Sequence, residues 1–286
     1  MILELNQTYL SLSLSEAKSL FGEITELKKG LYKTKSETKP SQAGLVKKIY
    51  QEIKNYKIKG SFKIINTTRN EIEIHTHKFK EQGNKVSIKN PDNLITIKEN
   101  MLLKQIWENK EKFKERKSHL RIKNKPIGID PKIARALVNI AKSEEITDPF
   151  CGTGGILLEA ALINKKVTGI DISKEMIDIA TQEFEKRKLK VKLELKDSTK
   201  NIIKTQAIVT DIPYGKNSKT TNTQEDLINS ILKNTTAQRA IICKKKTNQE
   251  YTPPNNWKLI NRHEIYVHKS MTREVLELIN TSINTF

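Results

Sequence analysis

After residue 144 the chain alternates short apolar runs with amphipathic segments, and that alternation leaves few folds open. The runs are Glu145–Asp148, Lys166–Asp171, Val191–Leu195, Ala207–Asp211 and Arg239–Cys243. Between them, Gly154–Asn164, Lys174–Arg187 and Gln224–Lys233 carry helical spacing. Strand and helix in strict alternation predict an α/β class: a parallel sheet wound on both faces. Two later runs, Lys258–Val267 and Arg273–Ile279, have only a short connection between them. They predict an antiparallel pair at the edge of that sheet.

The first part of the chain follows another pattern. Ile2–Leu5 predicts a strand, and a helix runs from Ser15, as N-cap, to about Leu27. Leu45–Tyr56 has helical spacing. Ser61–Ile65 and Glu71–His77 alternate as strands do. Lys85–Ile88 and Leu94–Ile97 flank the turn signal Lys89-Asn-Pro-Asp92. A small α+β domain over residues 1–108 follows from this. Residues 109–128 then make a basic linker, and residues 129–286 form the α/β domain, which opens with a helix over Pro131–Ala141.

Charge narrows the partners. The chain has 52 Lys and Arg against 33 Asp and Glu, a formal net charge of +19. Residues 1–140 hold 29 basic and 15 acidic side chains, and residues 141–286 hold 23 and 18. A field of this sign suits a polyanion. Lys112, Lys114, Arg116, Lys117, Arg121 and Lys123 fall within the densest run. They are expected to contact phosphate, although lysine is abundant throughout and a solvated linker is the plainer alternative. With two cysteines, Cys151 and Cys243, a disulfide framework and a four-cysteine zinc site are excluded on count. A reducing, cytoplasmic setting is expected. No apolar stretch approaches the roughly 18 residues of a membrane span. The N-terminus lacks a basic segment before an apolar run, so no secretory signal is expected.

Three strand ends carry chemistry. Asp148-Pro-Phe-Cys-Gly-Thr-Gly-Gly155 joins the first strand of the α/β part to its first helix. Its glycines allow a sharp turn and close approach to a ligand. The spacing is not GxGxxG, and no Lys-Ser/Thr follows, so a P-loop is excluded. A tight turn alone explains it equally well. Asp171 ends the second strand about 20 residues later, placed to accept from ribose hydroxyls. Asp197 follows the third strand, where it either meets an adenine amino group or caps a loop. The fourth strand ends in Asp211-Ile-Pro-Tyr-Gly215. Pro213 keeps Ile212 out of helical conformation. Its carbonyl and the Asp211 carboxylate then offer two acceptors that suit an exocyclic NH2 group, and Tyr214 offers a ring on which a base can stack.

Asp148–Gly155, Gly169–Asp171 and Asp211–Gly215 resemble motifs I, II and IV of amino-methyltransferases that use S-adenosylmethionine. More narrowly, Ile129–Ile140, DPFCGTGGILLEA, TDIPYGKNS and VHKSMTREV resemble the archaeal tRNA guanosine-10 N2-methyltransferases and their eukaryotic relatives. Lys89-Asn-Pro-Asp92 is similar to a recurring segment of their THUMP domain. The resemblance implies a Rossmann-like methyltransferase domain after a smaller ferredoxin-like and THUMP-type RNA-binding domain. It implies a methyl donor, S-adenosyl-L-methionine, held by Asp148, Cys151, Gly152, Gly154, Asp171, Ile172, Asp197 and Ser198. It places catalysis at Asp211, Ile212, Pro213 and Tyr214. Where the family usually has two prolines after the aspartate, the first is here Ile212. Implied partners are tRNA and, for some relatives, a small zinc-binding activator protein. The alternatives are another guanine in tRNA or ribosomal RNA, the N6 of adenine in DNA, and a non-catalytic RNA-binding protein.

Remaining candidates are weaker. His75 and His77 share a face if they lie on a strand, but two further zinc ligands are missing. No metal site is expected. Cys151 has no activating base and reads as a small packing residue. His268, Ser270, Thr272 and Arg273 cluster in the tail, as a hairpin turn or, by resemblance, near the target base.

Overall fold

The computed structural model describes the chain apart from Lys29 and residues 38–41, 123–127, 214–222 and 284–286. It divides into two compact units. One comprises Met1–Ser41 with Val46–Lys110, the other Gln42–Leu45 with Glu111–Phe286.

Among the described residues the first unit has two helices and a seven-stranded sheet. Strands β1 (Ile2–Leu5), β2 (Ile24–Lys28), β3 (Leu31–Thr34), β4 (Val46–Glu52), β5 (Phe62–Ile64), β6 (Asn93–Lys98) and β7 (Met101–Glu108) stand in the order β2-β3-β1-β4-β7-β6-β5. Only β5 and β6 pair parallel, and α2 (Arg69–Glu81) makes the crossover between them. Helix α1 covers Leu10–Phe21.

Three sequence expectations change here. The stretch read as a helix over Leu45–Tyr56 is the central strand β4. A register shift at Ile49/Tyr50 turns two consecutive side chains inward, so Val46, Ile49 and Tyr50 are all buried. A bulge thus reproduces the i, i+3, i+4 spacing of a helix. The reverse error occurs at Glu71–His77, which lies in α2. Thr68 accepts from the Glu71 N–H, and Glu71 accepts from the Thr68 N–H, a capping box that outweighs the alternation. His75 and His77 therefore do not share a face. His75 Nδ1 instead lies 2.7 Å from the Tyr56 hydroxyl. Finally, α1 begins five residues before Ser15, so Ser15 is not its N-cap.

The second unit holds α3 (Pro131–Ile140), β8 (Glu145–Asp148), α4 (Gly155–Ala161), β9 (Lys166–Asp171), α5 (Lys174–Lys186), β10 (Lys192–Leu195), β11 (Ala207–Asp211), α6 (Gln224–Lys233), β12 (Arg239–Lys245), β13 (Trp257–His268) and β14 (Met271–Asn280). The sheet order is β10-β9-β8-β11-β12-β14-β13. Strands β8 to β12 run parallel, and β14 is antiparallel to both its neighbours. The fold is Rossmann-like. From β8 the chain winds to β9 and β10, then returns to β11 on the other side. The switch point lies between β8 and β11, whose C-terminal ends open the crevice where such sheets bind ligands.

The segment expected as an open linker is partly built into this unit. Phe113–Arg116 and Ser118–Leu120 form single 3-10 turns. Arg116 and Arg135 are buried and share Glu159, at 2.7 and 2.8 Å. Both guanidinium groups lie over the Phe113 ring. Glu111 adds a second carboxylate to Arg116 at 2.9 Å. Glu159→Ala leaves two buried cations short of a partner. It should destabilise the protein by about 3–5 kcal/mol in a denaturant titration, more than loss of the α4 side chain contacts alone explains.

Candidate active site

The crevice is built from three strand ends. Asp148 closes β8, Asp171 closes β9 and Asp211 closes β11. Asp148 is buried. Its Oδ1 accepts from the Thr210 hydroxyl at 2.6 Å and from the Phe150 N–H at 3.1 Å. Burial, with the Asp211 and Asp171 charges nearby, pushes its carboxyl up to about 7 against those two hydrogen bonds.

The glycine loop bends back over β9. The Cys151 N–H donates to the Ile170 carbonyl at 3.0 Å, and the Gly152 N–H donates to Asp171 Oδ2 at 2.8 Å. The other oxygen of Asp171 accepts from the Ser173 N–H at 2.8 Å. Each oxygen keeps acceptor capacity for a further donor. Burial raises the Asp171 carboxyl above its ordinary range. Gly152 and Gly154 both have positive φ, +50° and +79°. At Gly154 a side chain would strike Phe184, so glycine is needed for packing as well. At Gly152 a Cβ would meet nothing within 4 Å, so the loop has open space at the point where its backbone turns. Ile172, next to Asp171, is 68% exposed and presents an apolar surface at the same sheet edge.

The remaining cofactor candidates are placed as follows. Cys151 is buried against Gly169, and burial raises its thiol well above the ordinary range, so it packs rather than reacts. Ser198 is buried and donates to the Pro149 carbonyl at 2.8 Å, bracing the loop from behind. Asp197 takes the Thr199 hydroxyl and N–H, with Lys200 3.2 Å away. The Thr199 hydroxyl is the main cause of its lowered carboxyl.

Asp211 is 19% exposed at its side chain. Its Oδ2 pairs with Arg273 at 3.0 Å, and its Oδ1 is buried without a hydrogen-bond partner. Burial raises its carboxyl, a push that Arg273 and the Cys243 thiol oppose. The Ile212 side chain is buried in the core beside α6, and its N–H donates to the Cys243 carbonyl at 2.7 Å. A proline at that position could not make this bond. Tyr214 lies outside the described residues; Pro213 is described, just past the end of β11.

Two of the expected phosphate contacts are corrected. Arg116 is buried on Glu159 and Glu111. Arg121, 6% exposed at its side chain, donates to the Thr153 carbonyl and hydroxyl and faces Glu183. In both cases the charge is spent on a buried carboxylate or a loop carbonyl, where it cannot reach a phosphate. Lys112, Lys114 and Lys117 are exposed, with Lys112 beside Glu115. Lys123 lies outside the described residues. Sequence reasoning missed Thr210, Arg121 as a support of the glycine loop, and Arg273 as the partner of Asp211. An arginine in a strand that continues Glu274-Val275-Leu276 was the available signal for the last. No group of three or more His, Cys, Asp or Glu able to hold a metal occurs among the described residues.

A family model described as RMKL-like, methyltransferase domain, matches residues 118–272. A second, described as DNA methylase, matches residues 15–182 and ends before β11. Two curated relatives are tRNA (guanine(10)-N2)-dimethyltransferases. That of Pyrococcus abyssi is 38% identical over 151 residues, covering 47% of this chain and 44% of its own. That of Methanocaldococcus jannaschii is 37% identical over 150 residues, covering 46% and 43%. The chain spans about half the length of the curated relatives it matches. Among solved structures, TrmN from Thermus thermophilus is similar in fold, with a TM-score of 0.53 at 17% identity over 98% of this chain and 99% of that one.

The buried Asp148 generates a stability test. Its folded carboxyl lies above the unfolded value of 3.8, so its contribution is present at low pH and is lost as pH rises through about 7. An asparagine keeps an oxygen for Thr210 and Phe150 without the charge. Asp148→Asn should match the parent near about pH 4 and melt higher above pH 7. The gain is roughly 2–4 °C for each kcal/mol of removed cost, read by calorimetry across pH.

Proposed function

The chain belongs to the RMKL-like methyltransferase-domain family, and from that premise we propose that it transfers a methyl group from S-adenosyl-L-methionine to the exocyclic N2 of a guanosine in tRNA. Position 10 is the nucleotide named for its relatives. The observation that carries the reading is Asp211. A partly exposed carboxylate ends β11 beside the switch point, one strand from the glycine loop.

The residues fit the donor. Asp171 has acceptor capacity for ribose hydroxyls, Ile172 offers an apolar face for adenine, and Gly152 leaves room for a ligand against the loop. Asp148, Gly154 and the braced Ser198 and Cys151 hold the loop in that shape. When bound, the donor supplies an electrophilic methyl on a cationic sulfur. The protein's part is to orient the amine. The Asp211 carboxylate and the Ile212 carbonyl accept its two N–H bonds, favouring a pyramidal nitrogen with its lone pair directed outward. Positioning is the main contribution. Asp211 also stabilises the positive charge that develops on nitrogen and stands ready to take the proton. Pro213 holds the Ile212 carbonyl outward, and Tyr214 stacks on the base.

Residues 1–108, read as a THUMP-type domain, bind the tRNA, and residues 129–286 carry the chemistry. Exposed Lys112, Lys114 and Lys117, with Lys123, add phosphate contacts along residues 109–128. The cytoplasm is the setting. Two buried free thiols suit a reducing compartment, and no helix among the described residues is long and apolar enough to cross a membrane. A small zinc-binding activator is included as a partner.

The test is transfer of labelled methyl to unmodified tRNA, followed by nucleoside mass analysis. N2-methylguanosine or N2,N2-dimethylguanosine is the expected product. Methyladenosine in DNA, or no transfer with and without the activator, overturns the reading. Asp211→Ala should lower transfer by about 10²-fold or more while cofactor affinity is retained.

A further inference from the structure

Resting on that reading, we propose that Arg273 is a positioning residue that fixes the orientation of the carboxylate Asp211 offers to the target amine. The two residues come from strands that are not neighbours. Asp211 lies opposite Cys243 of β12, and Cys243 lies opposite Val275 of β14. Arg273 is two residues before Val275, so its side chain reaches back diagonally across β12. Cys243 sits under that path. A small side chain there leaves the span open, and its thiol lies beside the carboxylate.

The result is a carboxylate held by the guanidinium at one oxygen, with the Cys243 thiol as a second hydrogen-bonding neighbour. Nη2 of Arg273 engages Oδ2 at 3.0 Å, and Oδ1 remains as a buried acceptor. The arginine side chain is 6% exposed. Burying a guanidinium in a strand is expensive, and an apolar residue would fill the same face at less cost. The ion pair with Asp211 gives that placement a use at the site. A carboxylate rotates freely about its last bond unless one oxygen is pinned. A buried carboxylate also tends to take up a proton, and a protonated oxygen would face the amine with a donor instead of an acceptor. Arg273 opposes both.

Among the described residues, three charged or titratable groups face Asp211: Asp148 from β8, Cys243 from β12 and Arg273 from β14. Burial pushes the Asp211 carboxyl up, and Arg273 and the Cys243 thiol pull it down. Removing Arg273 leaves the upward push opposed by the Cys243 thiol alone. The group must be ionised to work, so transfer is present above its pKa and lost as pH falls through it.

The experiment titrates the Asp211 carboxyl by 13C NMR in the protein alone, with Asp211→Asn identifying its resonance, and measures methyl transfer against pH. In Arg273→Met the carboxyl should titrate about 1–3 pH units higher. The acid limb of transfer should move with it, and kcat at pH 7 should fall about 10-fold or more, with KM for tRNA and cofactor affinity near the parent's. Arg273→Lys keeps the charge but not the planar fork, so its limb should stay in place while kcat falls. An unmoved Asp211 titration in Arg273→Met overturns the proposal. So does a loss of rate that is equal at every pH and accompanied by loss of cofactor affinity, which marks a structural role. If Arg273→Met does not fold, Arg273→Lys decides: parental kcat overturns the proposal, and a lower kcat with a parental limb supports it. If the parent transfers no methyl to tRNA, the functional reading fails, and the carboxyl titration still judges Arg273.

Discussion

The hydrogen bond from the Thr210 hydroxyl to Asp148 crosses the switch point of the sheet, and the site depends on it. It ties the end of β8, where the glycine loop begins, to the end of β11, one residue before Asp211. Parallel strands leave their C-terminal edge without further ladder bonds, so side chains must hold the crevice in shape. Here a buried carboxylate does so by accepting from both sides: Thr210 across the strand boundary and the Phe150 N–H within the loop. The loop then meets Asp171 through the Gly152 N–H.

The arrangement concentrates three carboxylates, all raised above their ordinary range by burial. Each is compensated differently. Asp148 has a hydroxyl and a backbone N–H, Asp171 has backbone N–H groups, and Asp211 has a guanidinium. The differences match the tasks. A raised carboxyl near 7 suits a structural acceptor that can carry a proton without losing its bonds. A carboxylate asked to orient an amine must stay ionised, and only Asp211 is given a cation. Removing a group from water at a functional edge costs stability, and the cost is met locally by these partners. Arg121 and Arg116 serve the same end further back. One braces Thr153 in the loop, and the other shares Glu159 with Arg135.

Legibility followed the physics of each segment. The α/β half was readable because its helices bury one face on a sheet of regular strands, so periodicity and element coincide. Glu225 and Asp226 after Thr223, for example, mark the start of α6 at the residue where it begins. The N-terminal half was less readable. A bulge in β4 gave it helical spacing, and α2, which buries only Phe79, had an apolar pattern too weak to declare its period. The basic run misled for a different reason. Lysine and arginine look alike in a charge count, yet Arg116 and Arg121 are turned inward while Lys112, Lys114 and Lys117 face solvent. A planar, weakly hydrated guanidinium tolerates burial on a carboxylate, and an ammonium group does so less readily.

By itself the sequence determined which strand ends carry chemistry, because the glycine loop, Asp171 and Asp211 lie at fixed distances along one alternating pattern. It also determined the order of the strands and helices after residue 144. It could not determine the state of each charge. Whether a carboxylate is pinned, buried or free depends on residues far away in the chain. Arg273 stands 62 positions after Asp211, and Thr210 stands 62 after Asp148. Only the return of β14 beside β12 brings the first pair together, and only the crossover to β11 brings the second. Electrostatic environment is set by distance in space and by exclusion of water, and tertiary structure alone decides both.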